Sequence, residues 1–104
     1  MASSKDFLEF VLEQLSNLPD ITYRAMMGEF IIYYHGKIIG GIYDNRLLVK
    51  PVASVLKIIP NAAMEIPYPN GKPMIMIPDI EHPELLEHVF NTIYNELPEK
   101  KKVK

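Results

Sequence analysis

Two short connections between β-rich segments constrain the fold of this chain more than any other feature. They are the dipeptides His35-Gly36 and Asp44-Asn45. Gly, Asn and Asp tolerate the positive φ that two-residue hairpin turns need. The segments that flank these turns are rich in β-branched and aromatic residues, and they comprise residues 29–34, 37–43 and 46–50. We therefore predict an antiparallel meander of three strands.

Helical periodicity marks both ends of the chain, where apolar residues recur at three- and four-residue steps. In the first helix these are Phe7, Leu8, Val11, Leu12, Leu15 and Leu18. In the last helix, which begins at Pro83, they are Leu85, Leu86, Val89, Phe90, Ile93 and Leu97. Ser3 and Asp6 have the spacing of a capping box, so we expect Ser3 to cap the first helix.

The remaining segments complete an α+β fold. We predict a strand, or the first half of a bent one, at 21–27, a short helix at 52–59, and strands at 62–66 and 74–77. The order is then helix, strands, short helix, strands, helix. An antiparallel sheet of about five strands carries both terminal helices on one face. We expect the core to contain Leu8, Val11, Leu12, Leu15, Ile42, Leu47, Val49, Val89, Phe90 and Ile93.

Composition bounds the class of protein. The 104 residues predict one domain over 1–98, followed by a flexible lysine-rich tail at 99–104. The absence of cysteine excludes disulfides and thiolate chemistry. No apolar run approaches the length of a membrane span, and the N-terminus lacks the layout of a signal peptide. We expect a cytoplasmic protein.

Alternation along the meander gives two unlike faces. The face that we expect the helices to cover carries Ile31, Tyr33, Ile38, Ile42, Leu47 and Val49. The opposite, mixed face carries Phe30, Ile32, Tyr34, Lys37, Ile39, Tyr43, Arg46, Leu48 and Lys50.

Apolar patches rimmed with charge mark interaction sites, so we interpret the mixed face as a contact surface. Alternatively, another helix covers its centre and the basic side chains extend to water. A bulge at Gly40-Gly41 would exchange part of the two sets.

Catalytic and metal-binding motifs are not evident. His35, His82 and His88 fall in unrelated contexts without metal-ligand spacing. Glu84 and His88 are one helical turn apart, which favours an exposed pair over a metal site. We therefore predict a protein that is not an enzyme, with no catalytic residue, no metal and no cofactor.

One further pattern runs through the meander at fixed spacing. It consists of Arg24, Met26, Gly28, Tyr33, Gly36, Asp44, Arg46, Leu47 and Lys50. With its flanking helices, from about residue 7 to residue 97, it resembles the N-terminal domain of the TfoX/Sxy family. The resemblance implies an α+β module of regulators of natural competence, without assigned catalytic residues. Glu29 stands where the family commonly has a second glycine. The competence regulators resemble two-domain proteins, and a chain matching only their first domain implies a stand-alone adaptor.

Three hypotheses about function follow. The first is a small regulatory or adaptor module that binds a protein partner, or a second copy in a homodimer, through the mixed face. The second is a nucleic-acid-binding module, with aromatic side chains on bases and basic ones on phosphates. These would be Tyr34, Tyr43 and Phe30 for the bases and Lys37, Arg46 and Lys50 for the phosphates. The net charge of −2 argues against it. The third, an enzyme or small-ligand binder using Arg24, Asp44 and Arg46, lacks an acid/base constellation.

Overall fold

The computed structural model describes residues 3–67, 69–78 and 80–97 as an α+β fold. In chain order its elements are α1 (Lys5–Gln14), β1 (Ile21–Met26), β2 (Glu29–Tyr34), β3 (Lys37–Ile42), β4 (Leu47–Val49), α2 (Ala53–Ile58), β5 (Met64–Glu65), β6 (Met74–Met76) and α3 (Pro83–Glu96). The predicted class and element order are confirmed. The tail predicted at 99–104, and the domain boundary at 98, lie outside the described residues.

The described sheet has six strands rather than about five. Met27 and Gly28 both adopt positive φ, at 52° and 86°. They form a two-residue turn that makes β1 a separate strand paired with β2. The strands are antiparallel and lie in the order β1-β2-β3-β4-β6-β5.

The core lies between one face of this sheet and the helices. Apolar side chains of α1, α2 and α3 join those of the strands in one buried cluster. Nine of the ten predicted core residues are buried, and Leu12 is only half-buried against the cluster. The periodicity of the two terminal helices therefore identified their buried sides correctly.

A bulge in β3 determines which side chains enter this core. Ile32 pairs with Gly40, but the next residue, Tyr33, pairs with Ile38. Ile39 is therefore an extra residue in β3, and strict alternation is interrupted there. Both predicted two-residue turns are present, whereas the face assignment carried across Ile39 is wrong.

Glycine is required at position 40, beside the bulge, because β3 approaches the backbone of β4 closely there. A Cβ on Gly40 would lie 2.7 Å from the Cα of Val49 and closer still to the carbonyl oxygen of Leu48. No side chain fits in that space without moving the backbone of β4.

The corrected faces follow from the register. The helix-covered face carries Phe30, Ile32, Tyr34, Lys37, Ile39, Ile42, Leu47, Val49, Ile75 and Ile77. The opposite, helix-free face carries Arg24, Met26, Ile31, Tyr33, Ile38, Tyr43, Arg46, Leu48, Lys50, Glu65, Met74 and Met76. Ile31, Tyr33 and Ile38 were expected in the core and lie on the helix-free face instead.

The N-terminus of α1 is tied to two hairpin turns. Ser4, rather than the predicted Ser3, is the N-cap, and its Oγ accepts the N–H of Phe7 at 3.0 Å. Ser3 donates its Oγ hydrogen to Glu29 Oε1 at 2.6 Å. The Asn45 N–H in turn donates to Ser3 Oγ at 3.0 Å. Glu29 thus helps to hold the start of α1 against the sheet. It stands at the position where the TfoX/Sxy pattern commonly has glycine.

Replacement of Gly40 by alanine tests the bulge. We expect Gly40→Ala to lower the free energy of unfolding by about 2 kcal/mol or more, because the added methyl overpacks against backbone rather than a movable side chain. Urea denaturation followed by circular dichroism measures the loss. Met27→Ala is the control, because Met27 is 97% exposed. A loss at position 40 no larger than that control would contradict the close approach.

Candidate interaction site on the helix-free face

The helix-free face combines apolar and basic side chains, and none of the three described helices covers it. Ile38 is 40% exposed, and Ile31, Tyr33, Met74 and Met76 are half-buried. Such a surface leaves apolar area in water that a partner could remove from it.

The basic residues of this face fall into two groups. Arg46 is held in place, because its Nη1 lies 2.8 Å from Glu65 Oε1 and its Nε donates to the carbonyl oxygen of Tyr43. The side chains of Arg24 and Lys50 form no hydrogen bond or ion pair with the described part of the chain. Arg24 and Lys50 are therefore the cations that remain available to a ligand.

The acidic groups of the face are already engaged. Glu65 pairs with Arg46. Glu29, at the end of the face, accepts hydrogen bonds from Ser3 and from the N–H of Asp44. The available charge on the helix-free face is therefore positive, although the whole chain carries a net charge of −2.

An open cavity of about 600 Å³ adjoins the face where β4 ends and β6 begins. Its lining includes Lys50 and Lys72, with Met74 and Tyr43. Three prolines also line it, namely Pro51, Pro67 and Pro73. Because proline fixes φ, these residues stiffen the rim of the cavity.

The nine residues of the predicted mixed face do not share one face. Tyr43, Arg46, Leu48 and Lys50 lie on the helix-free face, where Tyr43 and Leu48 are buried. The other five lie on the helix-covered face: Phe30, Ile32, Tyr34, Lys37 and Ile39. The bulge at Ile39 is the reason, because it reverses the alternation on which the prediction depended.

Lys37 and Tyr34, which were predicted to lie on a contact surface, instead bind residues of α3 and its C-terminal end. The Nζ of Lys37 lies 4.2 Å from the centroid of the Tyr94 ring and donates to the carbonyl oxygens of Tyr94 and Leu97. This cation therefore caps the C-terminal end of α3, where the helix dipole favours it. The hydroxyl of the buried Tyr34 donates to Asn91 Oδ1 at 2.9 Å.

The residues of the TfoX/Sxy pattern fall into two groups, one in turns or the core and one on the helix-free face. Gly28, Gly36 and Asp44 occupy turn positions with positive φ, and Leu47 is in the core. The other members of the pattern lie on the helix-free face: Arg24, Met26, Tyr33, Arg46 and Lys50. Turn geometry and core packing thus account directly for the first group, whereas the second group lies on the surface and is exposed or half-buried.

Three residues of the site had no signal in the sequence analysis. Met74 and Met76 reach the face because β6 pairs with β4, with Leu48 opposite Met76. Lys72 reaches the cavity because the loop between β5 and β6 lies beside Lys50. The alternation of Met74 and Met76 could have indicated a shared face, but only if the pairing of β6 had been known.

The described part of the chain shows neither a metal site nor a membrane-spanning helix. Within residues 3–67, 69–78 and 80–97, no group of three His, Cys, Asp or Glu side chains is placed to hold a metal ion. None of the helices in this part of the chain is long and apolar enough to span a bilayer.

Comparison with known proteins adds little about function. No model of a known protein family matches the chain. The chain is 29% identical over 80 residues to an uncharacterized 12.7 kDa protein in the trpE 5′ region of Spirochaeta aurantia. The aligned region covers 77% of this chain and 70% of that protein. The name of that protein states no activity or ligand, so the geometry of the site carries the functional argument.

Alkaline pH tests the placement of Tyr34. Burial, followed by the nearby Tyr94 and Glu87, raises the pKa of Tyr34 above its ordinary value. Because the folded state holds the Tyr34 proton more tightly, the contribution of this group to the free energy of unfolding is complete below its ordinary pKa of about 10. That contribution is lost as the pH rises through the pKa of the folded state. Tyr34→Phe should cost about 1 kcal/mol at neutral pH and make the decline above pH ~10 shallower. Urea denaturation over this range, with Tyr23→Phe as control, measures both effects. An unchanged alkaline decline would contradict this placement.

Proposed function

We propose that this protein is a small, non-enzymatic regulatory or adaptor module of the cytoplasm, which binds an acidic segment of a protein partner on its helix-free face. The observation that carries the proposal is the combination of exposed apolar side chains with cations that have no partner among the described residues, on a face that none of the described helices covers. The resemblance to the N-terminal domain of the competence regulators supports a regulatory role.

The charge of the face favours an acidic partner. Arg24 and Lys50 lie on the face itself, and Lys72 lines the adjoining cavity. Ile38 and Tyr33 lie between them and supply apolar contact area. Burial of such side chains would supply affinity, whereas the cations would select a partner of opposite charge.

The position of the aromatic residues argues against the nucleic-acid alternative. Tyr34 and Tyr43 are 4% and 8% exposed, and Phe30 packs half-buried against the core. The three rings predicted to stack on bases are thus covered and lie on different faces. Base stacking needs an accessible ring face.

Matched double variants test the proposal. We expect Ile38→Glu with Lys50→Glu to abolish binding of the partner, because the pair removes an apolar contact and reverses a charge. Leu56→Glu with Lys57→Glu is the control, since Leu56 and Ile38 are 39% and 40% exposed and both pairs change charge equally. Proteins captured from a nuclease-treated lysate by the wild type, the control and the test variant are identified by mass spectrometry. Binding of the purified candidates is then measured by calorimetry.

The supporting result is an acidic protein that binds the wild type and the control, and that binds the test variant at least about tenfold more weakly. Added salt should weaken that binding. A partner that the test variant retains would contradict the proposal. Saturable submicromolar binding of an oligonucleotide at physiological salt, lost in Lys50→Glu, would favour the nucleic-acid alternative instead.

A further inference from the structure

Strand β1 forms a long open edge of the sheet. Among the residues that the structure describes it pairs only with β2, and five of its six residues are exposed. The opposite edge strand, β5, is two residues long. Natural edge strands are commonly protected by charged side chains, above all lysine, by proline, by a bulge or by short length. Strand β1 contains one charged residue, Arg24, on the helix-free face, and neither lysine nor proline, and its pairing with β2 is continuous over all six residues.

The register identifies which backbone groups point outward. Residues 26 and 29 close the two-residue turn and form a hydrogen-bonded pair. At the other end of the hairpin, the N–H of His35 donates to the carbonyl oxygen of Asp20. Residues 20, 22, 24 and 26 therefore direct their backbone groups toward β2. The N–H and C=O groups of Ile21, Tyr23 and Ala25 then point away from the sheet.

These outward groups are complementary to a second copy of themselves. A two-fold axis at Tyr23 would place Tyr23 opposite Tyr23 of the second copy, and Ile21 opposite Ala25 of the second copy. Each of the three residues would exchange both backbone hydrogen bonds with its counterpart. On the other side of the strand, Arg24 would lie opposite Thr22 of the second copy, so the two arginines would not face each other.

The side chains beside this edge also favour a second copy. Tyr23 is 45% exposed and makes an edge contact with Phe30, with 5.9 Å between ring centroids. An open groove runs between α1 and β1, and its lining includes the polar Ser16, Asp20 and Thr22 beside Leu12, Leu15 and Leu18. The two-fold axis would bring the α1 helices of both copies to the same side of a continuous sheet. The two grooves would then lie side by side across the axis.

We propose that the chain forms a homodimer by antiparallel pairing of β1 with β1 of a second copy about an axis at Tyr23. This pairing extends the sheet in its own plane and leaves the helix-free face open. It is therefore independent of the acidic partner proposed above.

Two edge variants and a charge-matched control test the dimer. Light scattering after size exclusion, up to millimolar concentration, should give the wild type twice the 11.9 kDa mass of one chain. Ala25→Pro removes an outward N–H and places its ring in the interface, a position that an edge strand tolerates. Tyr23→Lys places like charges together at the axis. Each variant should raise the dissociation constant of the dimer by at least about tenfold. Met27→Lys adds the same charge at the turn and should remain dimeric.

Hydrogen exchange distinguishes this dimer from other modes of association and shows that the variants fold. Amides 21, 23 and 25 should become protected as the concentration of the wild type rises. Amides 22, 24 and 26 should be protected in wild type and variants at every concentration. A monomer at millimolar concentration, a dimer that survives Tyr23→Lys, or a dimer without the alternating protection would overturn the proposal.

Discussion

The close approach of Gly40 to the backbone of β4 is the constraint on which the rest of the structure depends. Only a residue without a Cβ can lie against the Leu48 carbonyl, and the extra residue beside it, Ile39, shifts the register of β3 against β2. The shift places Ile39 on the same, helix-covered face as Ile42, whereas strict alternation would put the two on opposite faces, and it leaves Ile38 outside. A single bulge thereby separates a well-packed core from a surface that keeps exposed apolar groups.

The two faces have different physical roles because of this separation. On the helix-covered face the basic residue, Lys37, is satisfied by the aromatic ring of Tyr94 and the carbonyl groups that end α3. On the helix-free face Lys50 has no such partner among the described residues. A cation beside exposed apolar side chains is a feature of recognition surfaces rather than of cores. The proposed adaptor role therefore depends on the bulge as much as the core does.

The turns and the helices could be predicted from the sequence because their signals are local. The pairs His35-Gly36 and Asp44-Asn45 adopt the positive φ that their composition predicts, and the apolar period of α1 and α3 matches their buried sides. The face assignment could not be predicted, because Ile38 and Ile39 are chemically identical and alternation cannot tell which is the extra residue. The contribution of Met74 and Met76 to the site was missed for another reason. Pairing of β6 with β4 is a non-local contact that no motif in either segment specifies.

Isoleucine methyl spectroscopy tests the central claim, that the bulge at Ile39 determines which face the helices cover. A soluble paramagnetic agent broadens the signals of methyl groups that it can approach. The structure predicts strong broadening of the Ile38 δ1 methyl and none for the fully buried Ile39 and Ile42, because the bulge places Ile39 and Ile42 on the same, helix-covered face. Strict alternation would instead place Ile38 and Ile42 on one face and Ile39 on the other. Matching responses of Ile38 and Ile42, with the opposite response at Ile39, would show that β3 alternates without a bulge and would contradict the account.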